Sequence, residues 1–80
     1  MRIEDAVSIR IKELCEERGI TVNALSYAAG MPRSTLKNII YGKSKNPGIG
    51  TIQMICDALE ISLVEFFDTE NFRALSPFND

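Results

Sequence analysis

Arg33, Ser34, Lys37, Asn38 and Tyr41 are spaced so that a helix through them carries all five on one side, with Leu36, Ile39 and Ile40 opposite. These polar groups are the kinds that reach base edges and phosphates. A guanidinium fork suits O6 and N7 of guanine, a carboxamide suits N6 and N7 of adenine, and hydroxyl or ammonium groups suit phosphate oxygens. The chemistry on offer is recognition of duplex DNA rather than the making or breaking of bonds.

Other chemistries lack their parts. Histidine is absent, so a nucleophilic Ser or Cys would have no imidazole base. The two cysteines, Cys15 and Cys56, fall in different expected helices with no partner at metal-ligand spacing, which excludes a zinc site of the usual kind. They read as buried thiols acting as small hydrophobes, with a redox switch as the alternative. Glu16 and Glu17 are adjacent on a helix and face apart, and no glycine-rich phosphate cradle occurs. No catalytic residue, metal or cofactor is expected.

Charge placement points the same way as the polar face. The net charge is −2, yet no Asp or Glu occurs from Arg18 to Cys56, a window that holds Arg18, Arg33, Lys37, Lys43 and Lys45. A phosphate backbone responds to the local field, so a basic face can work on an acidic molecule. Five cations that merely solvate a surface would leave the missing acids unaccounted for.

The elements that must hold this face follow from helical periodicity and glycine punctuation. Ile3, Val7, Ile11 and Leu14 mark a first helix of about four turns that stops at Gly19. Thr21 can cap a second helix through Ala29, and Gly30 supplies the positive φ of a tight turn. Pro32 suits the start of a third helix running to about Tyr41, and Gly42 ends it. Two short helices joined by a tight turn are the layout of a helix-turn-helix. Lys43 to Gly50 is a loop by composition, with Thr51 to Leu59 a fourth helix. Ser62 and Glu65 have the spacing of a capping box, so a short fifth helix should cover Leu63, Phe66 and Phe67. Residues 1–68 thus form one domain and 69–80 a tail, in which Pro77 limits any helix. The tail can pack on the bundle, mediate self-association or be mobile.

Eighty residues suffice for one core, and 45% apolar with 25% charged residues is the composition of a soluble globule. No run approaches the ~20 apolar residues of a membrane span, and Met1-Arg-Ile-Glu-Asp lacks the pattern of a secretory signal. The expected location is cytoplasmic, without membrane attachment.

Over about residues 3 to 67 the chain resembles the lambda-repressor-like, xenobiotic-response-element type helix-turn-helix family. The residues carrying the resemblance include Leu14, Gly19-Ile-Thr21, Leu25-Ser26, Gly30-Met31, Arg33-Ser-Thr-Leu36, Gly42, Asn46-Pro47, Ala58-Leu59 and Phe66-Phe67. The resemblance implies an all-α, compact five-helix DNA-binding domain whose third helix enters the major groove. It puts Arg33, Ser34 and Asn38 at positions facing base edges, with Lys37 beside them. Thr21, Thr35, Tyr41, Lys43, Lys45 and Asn46 become candidates for phosphate contacts, which fix register. Tyr41 reads nearly equally well as core packing at the helix end; for the two lysines a solvated loop is the weaker alternative, because the loop follows the third helix directly.

Three positions depart from the family pattern. Val22 stands where a Gln often opens the second helix and contacts DNA. Glu60 stands where a Gly usually ends the fourth helix, so it must take a left-handed conformation or end that helix differently. Cys15 and Ile40 stand where an Arg and a Glu commonly pair between the first and third helices. Replacing both charges is often neutral or stabilising, and should leave the two residues in contact.

The expected function is sequence-specific regulation of transcription, as a repressor binding double-stranded DNA as a homodimer. An antitoxin-type autorepressor with a protein partner is a close variant. An interaction module that kept the fold without DNA binding is the alternative from another class. Ile9, Phe72, Leu75 and Phe78 are the apolar candidates for self-association.

Overall fold

The computed structural model describes residues 1–79. Six helices follow one another: α1 Ile3–Arg18, α2 Val22–Ala28, α3 Arg33–Ile40, α4 Ile49–Leu59, α5 Leu63–Phe67 and α6 Glu70–Arg73. No strand occurs among the described residues. The first five are the helices expected for residues 1–68, and the sixth lies in the tail. It is a single turn, held because Phe72 packs on Phe66 and Phe67 with ring centroids 6.1 and 4.9 Å away.

α1 packs against α3 and α6, α2 against α3 and α4, and α4 against α5. The core at their centre holds Ile11, Leu25, Leu36, Ile55, Leu59 and Phe66, all essentially inaccessible. Each is the apolar side of its helix, so burial selects the rotation in which polar residues face outward. Arg10 adds a polar tie: Nε donates to the Phe66 carbonyl at 2.8 Å and a terminal nitrogen donates to the Glu65 carbonyl at 3.0 Å. These bonds tie α1 to the carbonyl end of α5, where the Glu65 carbonyl also accepts from the Asp68 amide at 3.3 Å.

Thr21 caps α2 as expected, its Oγ1 accepting from the Ala24 amide at 3.0 Å. At α5 only half of the capping box forms. Ser62 Oγ accepts from the Glu65 amide at 3.0 Å, but no return bond from the Glu65 carboxylate exists among the described residues. An exposed carboxylate has water as a competing partner there. α4 starts at Ile49, two residues ahead of the expected Thr51, with Gly48 as its N-cap.

Glu60 resolves the second departure. It takes the left-handed conformation, φ 58° and ψ 41°, and is the one non-glycine residue with positive φ among the described residues. The following amide, Ile61, donates to the Cys56 carbonyl at 3.0 Å and Glu60's own amide donates to Asp57 at 3.2 Å. That is the closure a glycine normally makes at a helix end. Cys15 and Ile40 are both buried members of the central cluster. Burial pushes both cysteine thiols up, aided at Cys56 by the charge of Asp57 and opposed by that of Arg10.

Candidate nucleic-acid interface

The turn between α2 and α3 depends on Gly30, whose φ of 70° an L side chain rarely adopts. Met31 then enters the core, and its amide donates to the Ser26 carbonyl at 3.1 Å. Pro32, with no amide to leave unpaired, precedes the first residue of α3. From there the helix divides as its sequence dictates. Leu36, Ile39 and Ile40 are buried, while Arg33, Ser34, Lys37 and Asn38 are exposed and Thr35 is half-buried.

Two contacts fix the far end of α3. The buried Ser8 hydroxyl, on α1, donates to the Ile40 carbonyl. The Asn38 carbonyl accepts from the Lys43 and Ser44 amides at 2.9 and 3.0 Å, which ties the following loop to the helix. With the Arg–Glu pair of the family pattern replaced by Cys15 and Ile40, the serine supplies a polar link between α1 and α3.

The groove beside α3, about 240 Å³, is lined by Thr35, Asn38, Ser44, Asn46 and Thr51 with Pro47 and Gly48. It brings together three expected site residues, Thr35, Asn38 and Asn46, and adds two hydroxyls that the sequence reading missed, Ser44 and Thr51. Lys43 and Lys45 are exposed on the loop. Thr21 stands apart from this groove at the start of α2, where its oxygen is already engaged in the cap. Tyr41 is 67% exposed, so the core-packing reading of it is excluded. Its ring lies 6.0 Å from the ammonium of Lys12, a cation on α1 outside the acid-free window. The available signal for Lys12 was its i, i+4 relation to Ser8, which places both on the side of α1 that meets the end of α3. Val22 packs partly buried against the core, leaving Asn23 exposed beside it in the first turn of α2.

Helix dipoles sharpen the charge asymmetry. α1, α5 and α6 each carry an acid in the first turn, whereas α2, α3 and α4 carry none. The first turns of these three helices thus carry no fixed negative charge, which favours an anion beside them. Among the described residues, no group of three or more His, Cys, Asp or Glu is placed to hold a metal. No described helix is long and apolar enough to cross a membrane.

A family model for the Cro/C1-type HTH DNA-binding domain matches residues 10–71, from within α1 to within α6. The chain belongs to the Cro/C1-type helix-turn-helix DNA-binding family. The lambda-repressor-like resemblance and the all-α fold read from the sequence agree with this membership. This Cro/C1-type domain is similar to the HTH-type transcriptional regulator SlrR of Bacillus subtilis (strain 168), at 31% identity over 55 residues. That match covers 69% of this chain and 36% of SlrR, so the domain corresponds to about a third of that relative. Among solved structures, the prophage Lp1 protein 11 superposes with a TM-score of 0.82 at 33% identity, covering 94% of this chain and 100% of that one. The restriction-modification controller protein C.Esp1396I superposes with a TM-score of 0.75 at 31% identity, covering 81% and 82% of the two chains.

Proposed function

We propose that this Cro/C1-type domain is a transcriptional regulator that binds a specific duplex DNA site with α3 in the major groove, and that it represses by occupying the site. The carrying observation is the exposed face of α3 and its loop, where Arg33, Ser34, Lys37, Asn38, Lys43, Lys45 and Asn46 stand without an acid in the window. Arg33, Ser34 and Asn38 read base edges, with Lys37 beside them. Thr35, Tyr41, Lys43, Lys45 and Asn46 hold phosphates, and Thr21 does so through the hydroxyl proton its cap leaves free. The names of SlrR and of the controller protein support a regulatory role. A DNA partner of this kind supports a cytoplasmic location.

Two copies act together in this reading. The domain is 34 Å along its longest axis, about one turn of B-DNA, so one copy covers one half-site. Of the apolar tail candidates, Phe72 is engaged in the core cluster and Phe78 is exposed. Val64 on α5, 80% exposed, is a stronger candidate for the contact, because it adjoins an apolar surface lined by Leu63 and Phe67.

Binding isotherms over a salt series, with a selected and a scrambled duplex, test the assignment. Arg33→Ala should cost about 1 to 3 kcal/mol on the selected duplex and relax preference at one or two base pairs. Lys45→Ala should weaken both duplexes alike and lower the salt slope by roughly one ion per subunit. A folded protein that binds no duplex at low salt would refute the reading.

A further inference from the structure

Lys12 lies on α1, outside the acid-free window, yet the fold brings it to the end of α3. It is exposed one turn beyond Ser8, whose hydroxyl donates to the Ile40 carbonyl. Its ammonium stands 6.0 Å from the centre of the Tyr41 ring, within reach of the attraction between a cation and an aromatic face. Both side chains also line one shallow groove between the two helices, together with Asp5, Ser8, Ile9 and Ile40.

Tyr41 is the last residue of the polar side of α3. Its amide still donates to the Lys37 carbonyl at 2.8 Å, so Arg33, Lys37 and Tyr41 succeed one another at helical spacing and form one exposed row. Lys12 continues that row from a second helix.

The charge of Lys12 is not neutralised by the acids around it. Glu16 stands four residues on, but lysine followed by glutamate is the weaker order for such a pair, and Lys12 joins no ion pair among the described residues. Glu13 and Glu16 line a separate surface with Glu17. Asp5 shares the groove but is two helical turns away, about 10 Å along the axis, which is about one Debye length at 0.1 M salt. Glu4, the other acid at that end of α1, is buried and already answered: Arg2 Nε donates to its carboxylate at 2.7 Å and holds the carboxyl below its ordinary range.

We propose that Lys12 is a DNA-phosphate contact supplied by α1, and that Tyr41 is its positioning residue, the ring face holding the ammonium at the end of the row formed by Arg33 and Lys37. The assignment rests on the DNA reading of α3 given above. A lysine is a compact charge on a flexible stem, so an aromatic face that restrains it in the free protein leaves less side-chain freedom to lose on contact. A contact to phosphate carries no sequence information, so its effect should be the same on every duplex.

The contact with the ring is tested in the free full-length chain by proton NMR. The ε-methylene protons of Lys12 should lie upfield through the ring current, a shift that Tyr41→Phe keeps and Tyr41→Leu abolishes. On DNA, Lys12→Gln should weaken the selected and the scrambled duplex alike, by about three- to tenfold, and lower the salt slope by about 0.9 per subunit. Lys12→Arg should restore the slope. Arg73→Gln removes the same charge from α6 and should leave the slope unchanged. The effect of Lys12→Gln should persist in a Tyr41→Phe background and shrink in a Tyr41→Leu background, because only the former keeps the ring. An unchanged slope in Lys12→Gln, or an equal fall in Arg73→Gln, overturns the phosphate contact. Absence of the upfield shift, or equal effects in the two tyrosine backgrounds, overturns the positioning role. A folded protein that binds no duplex overturns the DNA reading and this contact with it, an outcome distinct from duplex binding that is indifferent to residue 12.

Discussion

Replacing Glu60 by glycine should make the domain more stable, although it deletes a side chain and inserts the least rigid residue. At φ 58° and ψ 41° the Glu60 backbone occupies the left-handed region, which costs a residue with a Cβ about 1–2 kcal/mol. Glycine removes that strain but adds about 0.5–1 kcal/mol of entropy lost on folding. The difference is a gain of up to about 1.5 kcal/mol, or a rise in Tm of up to about 12 °C for a domain of this size. Little else changes, since Glu60 is exposed and joins none of the described ion pairs, and the Ile61 to Cys56 closure is made by backbone. Thermal unfolding by circular dichroism at matched protein concentration measures the effect. Glu60→Ala is the control, because it removes the charge but keeps the Cβ and should melt close to the unaltered protein. A glycine variant that melts at or below the alanine variant would refute the strain argument.

Three further outcomes are expected. Cys15→Arg alone should destabilise the domain by about 3 kcal/mol, since it buries an unpaired charge, and adding Ile40→Glu should recover part of that loss; simple additivity in urea unfolding would show that the two sites do not touch. Val64→Asp should shift sedimentation toward monomer without loss of helicity, and an unchanged dimer would exclude α5 from the contact. Glu4 binds its proton less readily folded than unfolded, so its contribution is complete above the ordinary carboxylate value and fades as pH falls through the lower folded one. Glu4→Gln should therefore flatten the loss of stability below about pH 5, and identical acid profiles for the two proteins would contradict this.

Much of the fold could be read from the residues because local rules and burial agree. α3 shows this best: its apolar and polar sides separate at helical spacing, and Gly30, Pro32 and Gly42 bracket it, so the exposed set around Arg33 and Asn38 is legible in the sequence. Tyr41 was not, because an aromatic ring at a helix end suits either the core or the surface, and its exposure is decided by how α1 crosses α3. α6 escaped for a similar reason. Its single turn is held by Phe72 meeting Phe66 and Phe67, a contact set by tertiary packing rather than by propensity. Glu4 was the least legible residue. An acid in a first turn reads as a surface group answering the helix dipole, and its burial arises where the loop around Pro47 comes back against α1. Ser44 and Thr51 carry no periodic signal, and they join the groove because the loop is pinned to the Asn38 carbonyl.

That pinning has an evolutionary consequence. Asn38 holds the loop through its main-chain oxygen, which every amino acid possesses, and Ser8 grips α3 through the carbonyl of Ile40. The side chains of Arg33, Ser34, Lys37 and Asn38 contribute nothing to the core, so exchanging them should cost stability within about 0.5 kcal/mol. On the proposed reading of α3, a lineage carrying this scaffold can rewrite the DNA letters it prefers one position at a time, with the pose of that helix preserved and no prior compensating change elsewhere in the chain.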